Sequence, residues 1–366
     1  MRILLAISTL KSGGAERVMA TLADAFARRG HHVTLLTLDA SSGDFFQVAN
    51  GVERIGLGRH GPARSWIARL YANVMRIIEI GAVVDRVRPE AVISFITEMN
   101  VLMIVACARR RIPVLISERV DPRFHRLSRL WSWLRWLTYP HASGLVVQTD
   151  AVAEWLIASQ PRMPTVTVIP NPVQRLARAE QRAPPSARAY LFAAGRLTHQ
   201  KGFDVLIGAL ALLVHQGVDL ELVIAGEGTE RSALLRLAGE LGVAERVRLV
   251  GHTADVEAWM TAAFAFVLSS RYEGFPNILL EALACGTAAI ATDCPSGPRE
   301  ILDSGAAGML VPCEDPAAIA QAVMTLRMDP DLRGRLRRLG PDAVGRFGID
   351  AVAARWESLM QQAVCR

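Results

Sequence analysis

The stretch Ala265-Phe-Val-Leu-Ser-Ser-Arg-Tyr-Glu-Gly-Phe-Pro-Asn-Ile-Leu-Leu-Glu-Ala-Leu-Ala-Cys-Gly286 passes from an apolar run of strand length through a loop into a helix. In an open α/β sheet that order puts the loop at the carboxyl edge of the strands, where ligands bind. Gly274, Pro276 and Asn277 are the residues a tight turn into a helix requires. Two carboxylates, Glu273 in the loop and Glu281 on the helix, stand eight positions apart. Backbone N–H groups of Asn277, Ile278 and Leu279, with the helix dipole behind them, would suit a phosphate. Glu273 and Glu281 can accept hydrogen bonds from hydroxyls on either side of it. A phosphate flanked by hydroxyl acceptors describes a sugar nucleotide. An ordinary helix carboxylate and a surface loop charge would show the same spacing, so the pair needs support from the rest of the chain.

The segments around it repeat the same alternation. Strand candidates are Ile3–Ser8, His32–Thr37, Ala91–Phe95, Val114–Ser117, Gly144–Gln148 and Val166–Ile169, separated by helical patterns such as Glu16–Arg28, Ile67–Arg86 and Asn100–Arg109. Ile169-Pro-Asn-Pro172 and Pro184-Pro185 then break the periodicity. A second series follows, with strands at Ala189–Ala193, Glu221–Ala225, Val247–Val250, Ala265–Ser269, Ala288–Ala291 and Met309–Val311. The expected architecture is α/β, with two Rossmann-like doubly wound parallel-sheet domains facing across a cleft. Their bounds are expected at 1–170 and 189–345, with a linker over 171–188. Residues 346–366 form a last helix expected to cross back to the first domain.

Other chemistry sits at the same kind of place. Ala193-Ala-Gly-Arg-Leu-Thr-His-Gln-Lys-Gly-Phe203 follows the first strand of the second domain. Gly195 frees the backbone, and Arg196 and Lys201 put two cations on one short loop, able to neutralise a diphosphate as charge builds on it. A solvated basic turn is the plainer alternative. The loop Lys11-Ser-Gly-Gly14 before the first helix lets the backbone approach a ligand through Gly13 and Gly14. It is not G-x-G-x-x-G, so nothing supports a dinucleotide. Ala225-Gly-Glu-Gly228 and Val250-Gly-His252 follow strands at the same sheet edge.

The segment around Glu273 and Glu281 resembles the E-x7-E signature of retaining glycosyltransferases of the GT-B fold, most closely glycosyltransferase family 4. Gly195-Arg196 and Lys201-Gly202 match that family's G-R-x-x-x-x-K-G pattern at every fixed position. The resemblance spans nearly the whole chain and is strongest over residues 189–312. It implies that Glu273 contacts hydroxyls of the donor sugar, Glu281 the ribose, and Arg196 and Lys201 the diphosphate. It extends the donor-binding set to Gly13, Gly14, Gly195, Glu227, His252, Gly274, Phe275, Pro276, Asn277, Ile278 and Leu279. In the first domain Ile116-Ser-Glu-Arg-Val-Asp121 follows a strand. The family often has a histidine or an acid on this loop beside the donor sugar. Glu118 holds that place here and is a catalytic candidate, with Glu98 competing; a structural Glu118–Arg119 pair is equally compatible.

Charge is uneven along the chain. Residues 1–170 carry 21 Arg/Lys against 13 Asp/Glu, the remainder 20 against 22. The basic half suggests an anionic contact: a membrane surface, a phosphorylated acceptor or nucleic acid. Between Arg119 and Leu137 basic residues (Arg119, Arg123, Arg126) interleave with aromatics including Trp131, as at a membrane interface. A second such patch lies at Arg59–Arg76. A helix with its tryptophans inward and its arginines solvated fits the same residues. No nucleic-acid motif accompanies the charge, so nucleic acid is not expected. The eight histidines are scattered and Asp329-Pro-Asp331 reads as a helix cap, so neither a metal nor a cofactor is expected.

With 51% hydrophobic and 21% charged residues the chain has the composition of a globular enzyme. No apolar run has the length of a spanning helix. Five cysteines without metal-ligand or C-x-x-C spacing fit reduced thiols. These features together give the expectation of a metal-independent hexosyl- or N-acetylhexosaminyltransferase, cytoplasmic and peripheral at the inner face of the cell membrane. It would take a UDP-sugar as donor and a lipid-linked glycan, lipopolysaccharide or exopolysaccharide as acceptor. A nucleotide-sugar 2-epimerase of the same fold, or a non-catalytic sugar-nucleotide-binding partner in polysaccharide assembly, are the alternatives.

Overall fold

The computed structural model describes residues 1–11, 13–59, 66–124, 127–160, 162–173, 186, 188–253 and 255–365, without the side chains of Trp66, Ile67 and Arg69. Arg126 and Pro184-Pro185, named above, lie outside them. The chain divides into two compact units, Met1–Pro172 with Ile349–Arg366, and Val173–Gly348.

Unit 1 is built on strands β1 (Arg2–Ile7), β2 (His32–Thr37), β3 (Val52–Gly56), β4 (Ala91–Phe95), β5 (Val114–Ser117), β6 (Gly144–Val147) and β7 (Val166–Val168). They pair in parallel in the order β3-β2-β1-β4-β5-β6-β7. The central strands read as unbroken apolar runs because both faces of a parallel sheet are covered. Helices α2 (Trp66–Val87), α3 (Thr97–Cys107), α4 (Arg129–Thr138) and α5 (Asp150–Ser159) pack on one face. Their inward residues, such as Val84, Met103, Leu134 and Leu156, join one core cluster with Leu4, Val92 and Ile116 of the strands. Helices α1 (Gly14–Arg28) and α13 (Ile349–Val364) cover the other face, where Met19, Phe26, Val352 and Trp356 meet Ile3, Leu5 and Phe95. Trp356 is fully buried, its ring 6.1 Å from that of Phe95.

Unit 2 repeats the plan with β8 (Tyr190–Ala194), β9 (Glu221–Ala225), β10 (Val247–Gly251), β11 (Ala265–Leu268), β12 (Ala289–Thr292) and β13 (Met309–Val311). The order is β10-β9-β8-β11-β12-β13, again all parallel. Its helices are α6 (Phe203–His215), α7 (Arg231–Glu240), α8 (Val256–Ala262), α9 (Asn277–Ala284), α10 (Pro298–Ile301), α11 (Pro316–Met328) and α12 (Pro330–Ala343). Asp329 caps α12, its side chain accepting from the Leu332 N–H at 2.7 Å.

One strand was not foreseen. Strand β3 is an edge strand in which only Val52 is buried; charged Glu53 and Arg54 break the apolar pattern that marks the others. In both sheets the strand order reverses beside the first strand of the unit, between β1 and β4 and between β8 and β11. Such a reversal opens a crevice at the carboxyl ends of the two strands.

Candidate active site

The two loops singled out in the second half of the chain leave the two strands that flank this reversal. One runs from Gly195 to Gly202 after β8, the other from Ser269 to Pro276 after β11. Their approach depends on glycine at two places. Gly202 has φ +61°, and a Cβ there would stand 2.1 Å from the Ser269 carbonyl oxygen. Gly226, after the neighbouring strand β9, has φ +129°, and a Cβ would fall 2.0 Å from the Gly195 oxygen. Both backbones need that space, so only a residue without a side chain fits.

At the junction Lys201 Nζ lies 2.6 Å from Glu273 Oε1. The same oxygen accepts from Ser270 Oγ at 2.6 Å. The pair is largely withdrawn from water, with 17% of the Lys201 side chain and 7% of the Glu273 side chain exposed. Glu273 Oε2 takes no hydrogen bond among the described residues. Two of the three Lys201 N–H groups are likewise uncommitted. Arg196, on the same loop, is exposed and forms no ion pair among the described residues.

The loops are braced from behind. Arg271 donates to the His199 carbonyl, to both oxygens of Asp204 and to Glu314. Gln200 donates to the Tyr272 carbonyl at 2.9 Å, and Ser269 Oγ to that of Lys201 at 2.9 Å. Ser296 Oγ holds the Glu273 carbonyl at 2.6 Å, and Thr292 Oγ1 that of Ser270 at 2.5 Å. Burial pushes the Asp204 carboxyl up, but its hydrogen bonds and charge attraction to Arg271 outweigh this and leave it below the usual range.

Gly274 and Pro276 close the turn and Pro276 caps α9. The Leu279 N–H donates to the Pro276 carbonyl at 3.0 Å, so the donor set expected at this helix end is one smaller than the sequence suggested. Phe275 is buried against Phe347, with ring centroids 5.6 Å apart, so it packs the turn onto the core. Glu281 is half-buried on the second turn of α9. Glu227, after β9, is ion-paired to Arg231 at 3.1 Å, which also donates to the Leu249 carbonyl. His252, after β10, is exposed.

In unit 1 the Gly13-Gly14 turn opens α1 beside the β1/β4 reversal. The carboxylate of Glu16 folds back over it, with Oε2 2.2 Å from where a Gly13 Cβ would stand. A phosphate there would have to displace that carboxylate. After β4, Ile96 has φ +74°, a strained value for a β-branched residue. Glu118 follows β5 at the sheet edge but turns inward and is 5% exposed. Its Oε1 accepts from Tyr139 at 2.6 Å, Arg135 at 3.1 Å and Thr97 at 3.2 Å. Burial, then the Glu118 charge, pushes the Tyr139 hydroxyl well up. Glu118 therefore ties β5 to α3 and α4; Glu98, half-buried on the first turn of α3, keeps more access to water. The Arg119 guanidinium lies over the Phe95 ring at 3.5 Å and donates to Asn171 at 2.7 Å. Its Nε and Nη2 are buried without a partner among the described residues, and burial holds the group well below the usual arginine range. Arg123 pairs with buried Asp121 at 2.6 Å. Trp131 faces the core of unit 1. The structure thus turns Arg119 and Trp131 inward and engages Arg123, three of the residues the sequence suggested for an acceptor or membrane contact.

Residues 175–342 match the family description "Glycosyl transferases group 1", and residues 12–175 match "Glycosyltransferase Family 4". The lipopolysaccharide core biosynthesis glycosyltransferase LpsE of Rhizobium meliloti is 30% identical over 96% of both chains. The chain belongs to glycosyltransferase family 4. A Campylobacter jejuni N-acetylgalactosaminyltransferase acting on an undecaprenol-diphosphate-linked glycan is 24% identical over 99% of both chains. Among solved structures, sucrose-phosphate synthase from Thermosynechococcus elongatus superposes with a TM-score of 0.84 over the full length of both chains at 20% identity. HepE from Anabaena, crystallised with UDP, gives 0.78 over 99% of this chain and all of that one at 18%. These likenesses establish the GT-B fold, and the protein is a glycosyltransferase.

Within this family 4 enzyme the site holds residues that sequence reasoning missed. Ser270, adjacent to the E-x7-E motif, could have been flagged by its place at the end of a strand. Ser296, Thr292 and Arg271 carry no spacing signal, because their partners are distant in sequence. Among the described residues no group of three or more His, Cys, Asp or Glu could hold a metal ion, and no helix is long and apolar enough to cross a membrane.

Proposed function

We propose that this glycosyltransferase moves a hexosyl or N-acetylhexosaminyl group from a UDP-sugar to a lipid-linked or lipopolysaccharide acceptor, with retention at the anomeric carbon. The observation that carries the reading is the Lys201–Glu273 pair at the reversal of the unit 2 sheet, with Arg196 unpaired on the same loop. Two cations on one loop match a diphosphate whose charge grows as the glycosidic bond breaks. Glu273, held by Lys201 and Ser270 through one oxygen, offers the other to a hydroxyl of the sugar being transferred. A carboxylate that accepts an ammonium and a hydroxyl on one oxygen is better suited to orienting a ligand than to taking up a proton. The departing phosphate oxygen is then the base for the acceptor hydroxyl. Glu281 on α9 serves the ribose. The acceptor class follows the named activities of the Rhizobium and Campylobacter relatives, which act in lipopolysaccharide core assembly and on an undecaprenol-linked glycan.

The test is a panel of UDP-, GDP- and ADP-sugars followed by proton NMR at the anomeric centre. One donor should hydrolyse slowly with its anomeric configuration kept in the first product, and addition of membrane lipid extract should accelerate its consumption. Lys201→Ala should abolish both. Conversion of UDP-N-acetylglucosamine to its 2-epimer without acceptor would replace the transferase by an epimerase. Donor binding with neither hydrolysis nor transfer would make the protein a non-catalytic binding partner.

A further inference from the structure

We infer that Phe45 is an aromatic platform for a pyranose ring of the acceptor glycan, with Lys11 and Asp39 at its rim for the ring's hydroxyls. The nature of the ligand rests on the transfer reaction proposed above; the site itself is built from unit 1 alone. Phe45 lies on the connection from β2 to β3, where the chain passes the end of β1. Its N–H and that of Phe46 both donate to the Leu10 carbonyl, at 3.0 and 3.3 Å. Leu10 follows β1 and precedes the Gly13-Gly14 turn, so the ring stands at the carboxyl edge of the sheet. It is next to β1, one of the two strands that flank the reversal.

A single exposed phenylalanine is ordinary. Phe45 differs in how firmly an open ring is held. It is 61% exposed, yet the residue before it, Asp44, is gripped through both carboxylate oxygens by Arg54 of β3, at 2.7 and 2.9 Å. Both members of that pair are largely withdrawn from water. Arg54 also donates to Thr37 Oγ1 at 2.6 Å, which ties the loop to β2 as well. Earlier in the loop the backbone presses on the end of β3, where a Cβ on Gly56 would stand 2.5 Å from the Ser41 nitrogen. The half-buried ring of Phe46 meets that of Phe45 at 84°, with centroids 5.0 Å apart. A nearly dry ion pair and two backbone hydrogen bonds thus fix a side chain that adds nothing to the core. A contact held in place before the ligand arrives loses little freedom on binding.

The surroundings of the ring select a sugar. A pyranose carries weakly polarised C–H groups on one face, which pack on the negative face of an aromatic ring. Its hydroxyls lie around the edge, each both donor and acceptor. Beside Phe45, Lys11 Nζ is paired with Asp39 Oδ2 at 3.0 Å, with the lysine well exposed and the aspartate less so. Asp39 is itself positioned, its N–H donating to the Ser8 carbonyl at 3.1 Å and its Oδ1 accepting from the Ala40 N–H at 3.2 Å. An ion pair this open to water adds little to stability. It does set one strong donor and one strong acceptor side by side, the spacing that neighbouring hydroxyls on a sugar ring require. An apolar face with a few placed polar groups at its margin is the general form of a small-molecule site.

The whole protein, saturated with UDP, is mixed with the methyl glycosides of glucose, galactose, mannose, N-acetylglucosamine and N-acetylgalactosamine, and binding is read by saturation-transfer NMR. At least one glycoside should bind, with the strongest transfer to the C–H protons of one ring face. Phe45→Ala should weaken that binding about tenfold and Phe45→Trp should keep it. Phe45→Leu, apolar but not aromatic, should be as weak as Phe45→Ala. Lys11→Met should weaken it about threefold. Thermal melting and UDP binding should match wild type in all four variants. No bound glycoside, or equal binding by wild type and Phe45→Ala, would overturn the inference. Full binding by Phe45→Leu would overturn it too, since a merely greasy contact would then suffice. Donor hydrolysis by the wild type is read in parallel. Its absence for every nucleotide sugar would sink the transferase reading, whereas glycoside binding at Phe45 is scored without any turnover.

Discussion

Removing the Lys201 ammonium while Glu273 stays in place tests the centre of the proposed site. With side-chain exposures of 17% and 7% and a 2.6 Å separation, neither group is well solvated. Stranding one partner of a buried pair costs about 3–5 kcal/mol. The Ser270 hydrogen bond that remains on Glu273 and the residual access of Lys201 to water place Lys201→Met at the lower end, about 3 kcal/mol. For a domain of this size about 2–4 °C in Tm is lost per kcal/mol, so a fall of about 6–12 °C is expected. Glu273→Gln alone should lose less, because the ammonium can reach solvent. The double variant strands no charge and should melt about 4 °C or more above Lys201→Met. Donor hydrolysis should behave differently: about 10²–10³-fold slower in Lys201→Met and no better in the double variant, since the cation facing the diphosphate is absent in both. Thermal melts by circular dichroism and hydrolysis rates on the same four proteins make the comparison. Additive stability losses, or Lys201→Met melting within about 2 °C of wild type, would refute the buried pair. Recovery of hydrolysis in the double variant would refute the diphosphate role.

Two further outcomes follow from the braces around the site. Gly226→Ala puts a Cβ 2.0 Å from a backbone oxygen at φ +129° and should lower Tm by about 4 °C or more, whereas Gly239→Ala in α7, with nothing within 4 Å, should leave Tm unchanged or raise it. The Asp204 carboxyl is held below its unfolded value, so its contribution is present above that value and is lost as pH falls through the folded one. Urea midpoints should therefore show Arg271→Met less stable than wild type at pH 7, with the difference narrowing below about pH 4. Profiles that stay parallel down to pH 3 would remove the Arg271–Asp204 bond from the balance.

The strands and the loops that follow them were legible in the sequence because each is local. An apolar run of four or five residues followed by glycine is visible without knowing its neighbours. All twelve strand candidates lie within a residue of observed strands at each end, and β3 escaped because an edge strand with one buried side chain has no such run. Lys201 and Glu273 stood out as motif residues, yet their 2.6 Å contact depends on β8 and β11 being neighbours, which is a property of strand order. Direction was the harder matter. Glu118 was placed correctly after a strand, but nothing local reveals that Thr97, Arg135 and Tyr139 turn its carboxylate inward. Trp131 and Trp133 are two apart on one helix, and the core claims the first and leaves the second outside.

Helix α13 belongs to unit 1 although the whole of unit 2 precedes it in the chain. On the ribosome the seven strands of unit 1 are made early, but Trp356, which fills the space beside Phe95, arrives after residue 348. Unit 2 is contiguous, and its ends are joined where the Val173 N–H meets the Phe347 carbonyl at 2.8 Å. It can close as soon as its own residues are out, while the first-made sheet waits with one face covered by α1 alone. In order of synthesis unit 1 comes first; in order of completion it comes last.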